Sequence, residues 1–253
     1  MLHYLKFTTF PLIAIGVMHA MMQGGAWMYT GILALVFVVA LGDILLPDDR
    51  SEPRMEGEFF LNLMLWLTLP ILMWVTLCFT WAVAPVDVLG IDAFMKNTFG
   101  YDRLQLQADT TWYQWFVGAV AGAFLFGAGG TNVGHELTHR TYSMRDMILG
   151  RWMLAFTCDA SFAIEHVYGH HKNLGTPADP ATAQRGENVY GFVLKSTIGG
   201  YKSAWKLEKQ RLAKFNQSVW NPIHSRMMRG NLMSLSLFAV SFYIGGWAGV
   251  VLF

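Results

Sequence analysis

No charged side chain interrupts the 26 residues from Phe59 to Ala84, and that stretch constrains the fold more than any other feature. A helix needs roughly 20 apolar residues to cross the hydrocarbon core of a membrane. Four further runs have the same character: about Phe7–Met22 (short), Trp27–Leu46, Tyr113–Val133 and Asn231–Phe253. A weaker one, Met147–Ala163, contains Arg151 and Asp159, which places it at the interface or half-buried. Lipid cannot satisfy open backbone groups, and no barrel-like alternation is visible, so the spans are predicted to be helical. The expected fold is all-α: a multi-pass integral membrane helical bundle forming a single embedded domain over 1–253, without internal repeat. Pro11 and Pro70 are expected to kink their helices. The N-terminal run carries one Lys and lacks a convincing cleavage site, so it reads as a retained first span.

Only 14% of the residues are charged and 54% are hydrophobic, against about 25% charged in a soluble domain. A net charge of +1 gives no concentrated basic face for nucleic acid. Cys78 and Cys158 are too few and too far apart for a disulfide framework or a thiolate site. The basic residues set an orientation. The turn Gln23-Gly24-Gly25-Ala26 has none, Pro47–Glu58 holds Arg50 and Arg54, and Pro85–Trp112 sets Lys96 and Arg103 among four aspartates. From Arg140 to Arg229 lie 13 of the 18 basic residues. The positive-inside rule then puts the N-terminus and region 134–230 in the cytoplasm, in a bacterial-type inner membrane.

Five of eight histidines fall in two clusters. In Gly134-His135-Glu136-Leu137-Thr138-His139-Arg140, the four-residue spacing stacks His135 and His139 one turn apart on one helix face, where two imidazoles can share an ion. In Glu165-His166-Val167-Tyr168-Gly169-His170-His171, His166 and His170 are expected to share a face, with His171 about 100° around the helix and able to reach a second ion. Ionisable groups at membrane depth are costly and mark function by default. Imidazole suits Zn, Cu, Fe and Ni, so the ligands alone do not name the metal. His135 to His139 is also literally H-E-x-x-H, the zinc-protease pattern with Glu136 as general base. Catalytic zinc takes about three protein ligands, which leaves the second cluster unexplained; two ions in an imidazole-rich cage account for both clusters.

At these residues the sequence resembles the membrane alkane hydroxylases (alkane 1-monooxygenases), relatives of xylene monooxygenase and, more distantly, of membrane fatty acid desaturases. The likeness runs through Asn132–Arg140, Glu165–His171, Thr176–Thr182, Arg185–Tyr190, Glu208–Leu212 and Gln217–Trp220. Three residues between His166 and the His170-His171 pair favour the hydroxylase type over the desaturase type. The resemblance implies two iron ions held by His135, His139, His166, His170 and His171. It further implies electrons delivered by rubredoxin and its reductase, and insertion of one oxygen atom of O2 into the terminal methyl of an alkane-like substrate drawn from membrane lipid. The chemistry is then metal-centred, with no side chain assigned as acid or base. Hydroxylation of an aromatic methyl, as in xylene monooxygenase, and fatty-acyl desaturation or hydroxylation are the alternatives; zinc proteolysis is the alternative from another class. The family's third histidine box, of Asn-Tyr-x-Glu-His-Tyr-Gly type, is not in these 253 residues. The expectation is a C-terminally incomplete sequence that alone binds iron poorly and lacks activity.

Four carboxylates are candidates to orient ligand imidazoles. Asp43 either does so or sits at the interface, and Glu136 and Glu165 adjoin ligands. Asp179, between Pro177 and Pro180, is expected chiefly to shape a turn, with a place beside the iron as the other reading. His3, His19 and His224 lack partners at ligand spacing and read as structural. Gly127, Gly129 and Gly130 are expected to permit close helix packing or to leave room for substrate. The basic stretch Lys195–Lys214, with Trp205, Leu207 and Leu212 among its cations, reads as a helix on anionic headgroups or as a docking surface for an acidic electron carrier.

Overall fold

The computed structural model describes residues 2–46 and 58–253, in which every regular element is helical. Most of the expected basic connection Pro47–Glu58, with Arg50 and Arg54, lies outside the described residues, as does the side chain of His3. Helical turns over Leu2–Leu5 and Lys6–Thr8 lead into α1, Thr9–Gln23. Pro11 falls in its first turn, where an amide has no intrahelical partner to lose. A short turn over Gly25–Trp27 opens α2, Met28–Val36, which runs on through a π-helical stretch, Phe37–Leu41, to Gly42–Leu45. The link from α1 to α2 needs glycine. Gly24 and Gly25 both have positive φ, and a Cβ on Gly25 would lie 3.2 Å from the Asp109 carbonyl oxygen.

Helix α3 is Glu58–Ala82, with Pro70 inside it. Two amphipathic pieces follow, α4 (Ile91–Phe99) and α5 (Arg103–Asp109). Asp102 caps α5, accepting from the Leu104 and Gln105 amides. Thr111 and Gln114 then form a reciprocal capping box that starts α6, Trp112–Leu125. This helix passes through a second π stretch, Phe126–Val133, into α7, Gly134–His139. After a tight turn capped by Ser143 comes α8, Met144–Ala155. The last long helices are α9, Val189–Ala213, and α10, Arg226–Leu252, the latter broken at Gly246 by a non-helical backbone.

Among the described residues three helices are long and apolar enough to cross a membrane: Glu58–Ala82, the continuous run Trp112–His139, and Arg226–Leu252. The protein is a multi-pass membrane protein of the expected all-α class. Of the two N-terminal runs, the first is short, as expected, and the second continues from Met28 to Leu45 through a π stretch.

The chain divides into two compact units, Met1–Gly129 with Phe238–Phe253, and Gly130–Leu237. In the first, Arg103 closes the end of α3. Only 5% exposed, it donates to both Asp92 oxygens, at 2.8 and 2.7 Å, and to the Ala84 carbonyl at 2.6 Å. Trp81 Nε1 donates to the same carboxylate, and Gln107 takes the Ala82 carbonyl. Carbonyls left over at a helix end are thereby satisfied. In the second unit α7 and α8 approach through glycine: a Cβ on Gly150 would lie 2.8 Å from the Gly134 carbonyl oxygen. The three glycines of the fourth apolar run separate. Gly129 faces Phe10 and Thr68, Gly130 faces the Met153 carbonyl, and Gly127 has nothing nearby. Close packing therefore explains two of them, and the open space at Gly127 agrees with the other expectation, room beside the helix.

Candidate metal centre

Both histidine clusters lie in the second unit, and their Nε2 atoms converge. His135 and His139, one turn apart on α7, place these nitrogens 2.6 Å apart; His166 Nε2 is 2.7 Å from the first and 3.2 Å from the second. His171 Nε2 lies 3.0 Å from that of His166. One ligand atom from each of His135, His139 and His166 falls within 4.8 Å of the others. Two nitrogens about 2.1 Å from one ion at a right angle are themselves roughly 3.0 Å apart, and the spacings here bracket that value. A neutral imidazole offers one lone pair and one N–H. These nitrogens can pair through N–H···N bonds, and with their lone pairs turned inward they offer a cation a shared set of ligands.

The second cluster departs from α spacing. Phe162–Glu165 is α-helical, but His166–His170 is a π turn, continued by His171–Asn173. Its wider winding brings His171, five residues on, into reach of His166, where an α-helix would bring the residue four on. His170 instead donates from Nδ1 to Asp179 Oδ2 at 2.9 Å, which leaves its Nε2 as the lone-pair nitrogen. π turns recur at functional positions. Phe162 stacks on His166, with centroids 4.6 Å apart and planes 12° apart, and its edge meets His135 at 5.8 Å. Burial, with the neighbouring imidazoles, pushes His166 down to about 4. Neutral imidazole is the form a metal binds.

Asp179 is buried and held from several sides. Thr182 Oγ1, the Ala181 amide and His170 all donate to its carboxylate, and its own amide reaches the Thr176 carbonyl. Burial alone would raise this carboxyl; the donors from Thr182 and His170 outweigh it and keep the group ionised below its usual range. The turn expected here is present, and the same carboxylate aligns His170.

The fatty acid desaturase family matches residues 110–253, more than half of the chain and all of the histidine constellation. The chain belongs to this family. Similar proteins include alkane 1-monooxygenase 1 of Alcanivorax borkumensis, 28% identical over 84% of this chain and 46% of the relative. Alkane 1-monooxygenase of Ectopseudomonas oleovorans is 30% identical over 77% and 42%. The xylene/toluene monooxygenase hydroxylase component XylM of Pseudomonas putida is 27% identical over 96% and 59%. The chain spans about half the length of the curated relatives it matches.

For a desaturase-family site the remaining candidates fall into place residue by residue. Glu136, the would-be general base of H-E-x-x-H, has a side chain 55% exposed that pairs with Arg140 at 3.5 Å; it does not join the converging nitrogens. Glu165 is buried beside Gly169 and Gly200. Its Oε1 has no hydrogen-bond partner, and burial raises the carboxyl above its ordinary range. Asp43 is exposed in the first turn of Gly42–Leu45, within the first unit. His19 bonds the Tyr101 hydroxyl at 2.7 Å and packs on Trp27, a structural role. His224 offers its backbone carbonyl to Arg211.

Three features escaped the sequence. The π turn has no residue signature that distinguishes it from α. The Phe162 stack joins residues four apart, a spacing that could have pointed to it. Glu208, 1% exposed, binds Arg211 through both oxygens and accepts the Arg226 amide at 2.6 Å; a glutamate inside a basic helix was the available hint. The basic face is also narrower than expected. Lys195 turns to Glu187 and the Thr182 carbonyl, leaving Lys202, Lys206, Lys209 and Lys214 exposed.

Proposed function

We propose that this chain provides a histidine-ligated non-haem iron site of a membrane hydroxylase that places oxygen from O2 on the terminal methyl of an alkane. The observation that carries this reading is the convergence of four Nε2 atoms, from His135, His139, His166 and His171, within a desaturase-family match. Bound iron supplies the redox chemistry with dioxygen that breaking a strong C–H bond requires and no side chain offers. The protein's part is to hold and orient. His135 and His139 present their nitrogens from a rigid α turn, and the π turn adds His166 and His171. Asp179 fixes the tautomer and orientation of His170, so that its Nε2 is the ligand atom. The Phe162 ring covers one face of His166 and keeps water off it. Five imidazoles exceed the three protein ligands usual for catalytic zinc, and with the resemblance to alkane hydroxylases this supports two iron ions.

Electron delivery by rubredoxin and its reductase is part of this proposal. The exposed stripe Lys202, Lys206, Lys209 and Lys214 is complementary to an acidic carrier, and rising salt is expected to slow reduction. A region this basic, from Arg140 to Arg229, supports a cytoplasmic site on a bacterial-type inner membrane. A second reading, hydroxylation of an aromatic methyl, is favoured by the XylM likeness across 96% of the chain. Octane and p-xylene separate the two readings by which one gives an alcohol.

Metal identity tests the class. Iron and zinc are measured in the detergent-purified wild-type and His166→Ala proteins, each exposed to equal concentrations of both ions. Whatever the occupancy, more iron retained by the wild type than by the variant supports the proposal. One zinc per chain with no iron points to hydrolytic chemistry and contradicts it.

A further inference from the structure

Apart from the histidines, the second unit contains a cavity of about 780 Å³ whose wall is largely apolar. Ligand sites generally occupy about 300–1,000 Å³, with a few fixed polar groups on an apolar lining. Here the charged groups are three arginines, beside the hydroxyls of Thr141, Tyr142, Tyr168 and Ser236. Arg151, from α8, is 8% exposed and donates to the carbonyl of Arg226, and Arg226 and Arg229 line the same space from the first turn of α10. Arg229 also reaches the Ile223 carbonyl at 2.5 Å. Among the described residues no carboxylate lies within ion-pair distance of any of the three. Glu208, whose charge acts on Arg151 and Arg226, is itself bonded to Arg211 and the Arg226 amide.

Burying a guanidinium without a counter-charge is expensive. The strain shows in Arg151, which burial, then the charges of Arg229 and Arg226, push down to about 10. A bound anion would remove that penalty. The rest of the cavity identifies the anion's other end: Met147, Ile148, Trp152, Leu232 and Met233 form a largely apolar wall suited to a hydrocarbon chain. Its arginine end is the start of a helix long and apolar enough to cross a membrane, the level at which lipid phosphates lie. Basic pockets between such helices bind anionic headgroups.

We propose that this cavity binds one anionic phospholipid, its phosphate held by Arg151, Arg226 and Arg229 and an acyl chain laid along the Met147 to Met233 wall. Ala163, Ile164 and Tyr168 line the same cavity and flank Glu165 and His166 in sequence. The lipid therefore props the segment that carries the second histidine cluster.

The test is native mass spectrometry of the full 253-residue chain in detergent, titrated with phosphatidylglycerol or phosphatidylcholine. Thermal unfolding is followed in parallel with each lipid and with inorganic phosphate. The expected result is one phosphatidylglycerol per chain, bound well ahead of phosphatidylcholine and raising the unfolding temperature. Arg229→Gln is exposed enough to fold and should weaken this binding roughly fivefold, and the double variant with Arg226→Gln by about thirtyfold. Ile148→Trp keeps all three cations but fills the chain wall, and should abolish the preference. Equal response to both lipids, or phosphatidylglycerol binding unchanged in the arginine variants, overturns the proposal. So does protection by inorganic phosphate alone to the same degree, which would make this a simple anion site.

Discussion

Asp179 is the residue on which alignment of His170 depends, because it alone is seen to take the proton of His170 Nδ1. Replacing such a partner typically lowers metal affinity 10- to 100-fold. Asp179→Asn should therefore weaken ferrous binding by that range in an anaerobic titration, while His224→Ala leaves it unchanged; equal effects from the two would remove Asp179 from the centre. A second residue-scale prediction concerns Asp92. Its hydrogen bond with Arg103 holds the carboxyl below its ordinary range. A carboxyl lowered on folding contributes stability that is full above the unfolded value, near pH 4, and is lost as pH falls through the folded one. Unfolding followed from pH 6 to pH 3 should show this loss in the wild type and less of it in Asp92→Asn. At neutral pH Asp92→Ala leaves Arg103 buried without its partner and should cost about 3 kcal/mol.

At the scale of elements, the centre depends on how α7 and α8 pack and on how the second cluster winds. Gly150→Ala would push a methyl against the Gly134 carbonyl, 2.8 Å away. Such overpacking costs about 1–3 kcal/mol and should also loosen ferrous binding, because α7 carries His135 and His139. A loss of stability with unchanged iron affinity would separate the packing from the site. What the sequence revealed divides along the same line. The four-residue spacing of His135 and His139 sits in ordinary α-helix and reads directly. On the same α template the spacing of His166, His170 and His171 pairs His166 with His170, whereas the π turn brings His171 to it. Winding of a short helix is decided by tertiary contacts, here the Phe162 stack and the Asp179 bond, and no local propensity encodes it. Asp179 itself was legible as a turn residue, since Pro177 and Pro180 flank it, but its alignment of His170 comes from nine residues away in the chain.

For the whole molecule, the membrane class was legible because apolar length is a property of composition alone. Phe59–Ala84 carries no charge, and it forms α3 almost to the residue. Subdivision of the N-terminal runs by π and 3-10 segments was not legible, since Phe37–Leu41 is as apolar as the helix around it. The arginines of the lipid cavity come from positions 151, 226 and 229, too far apart in sequence for any motif to join them. The central claim is that imidazoles from two separate segments grip the same iron. X-ray absorption at the iron edge of the ferrous-loaded protein tests it most directly. The account predicts a shell dominated by nitrogen near 2.1 Å, with the outer scattering of several imidazoles, diminished by His135→Ala and by His166→Ala alike. A shell of oxygen without imidazole scattering, or one that responds to only one of the two substitutions, would contradict it.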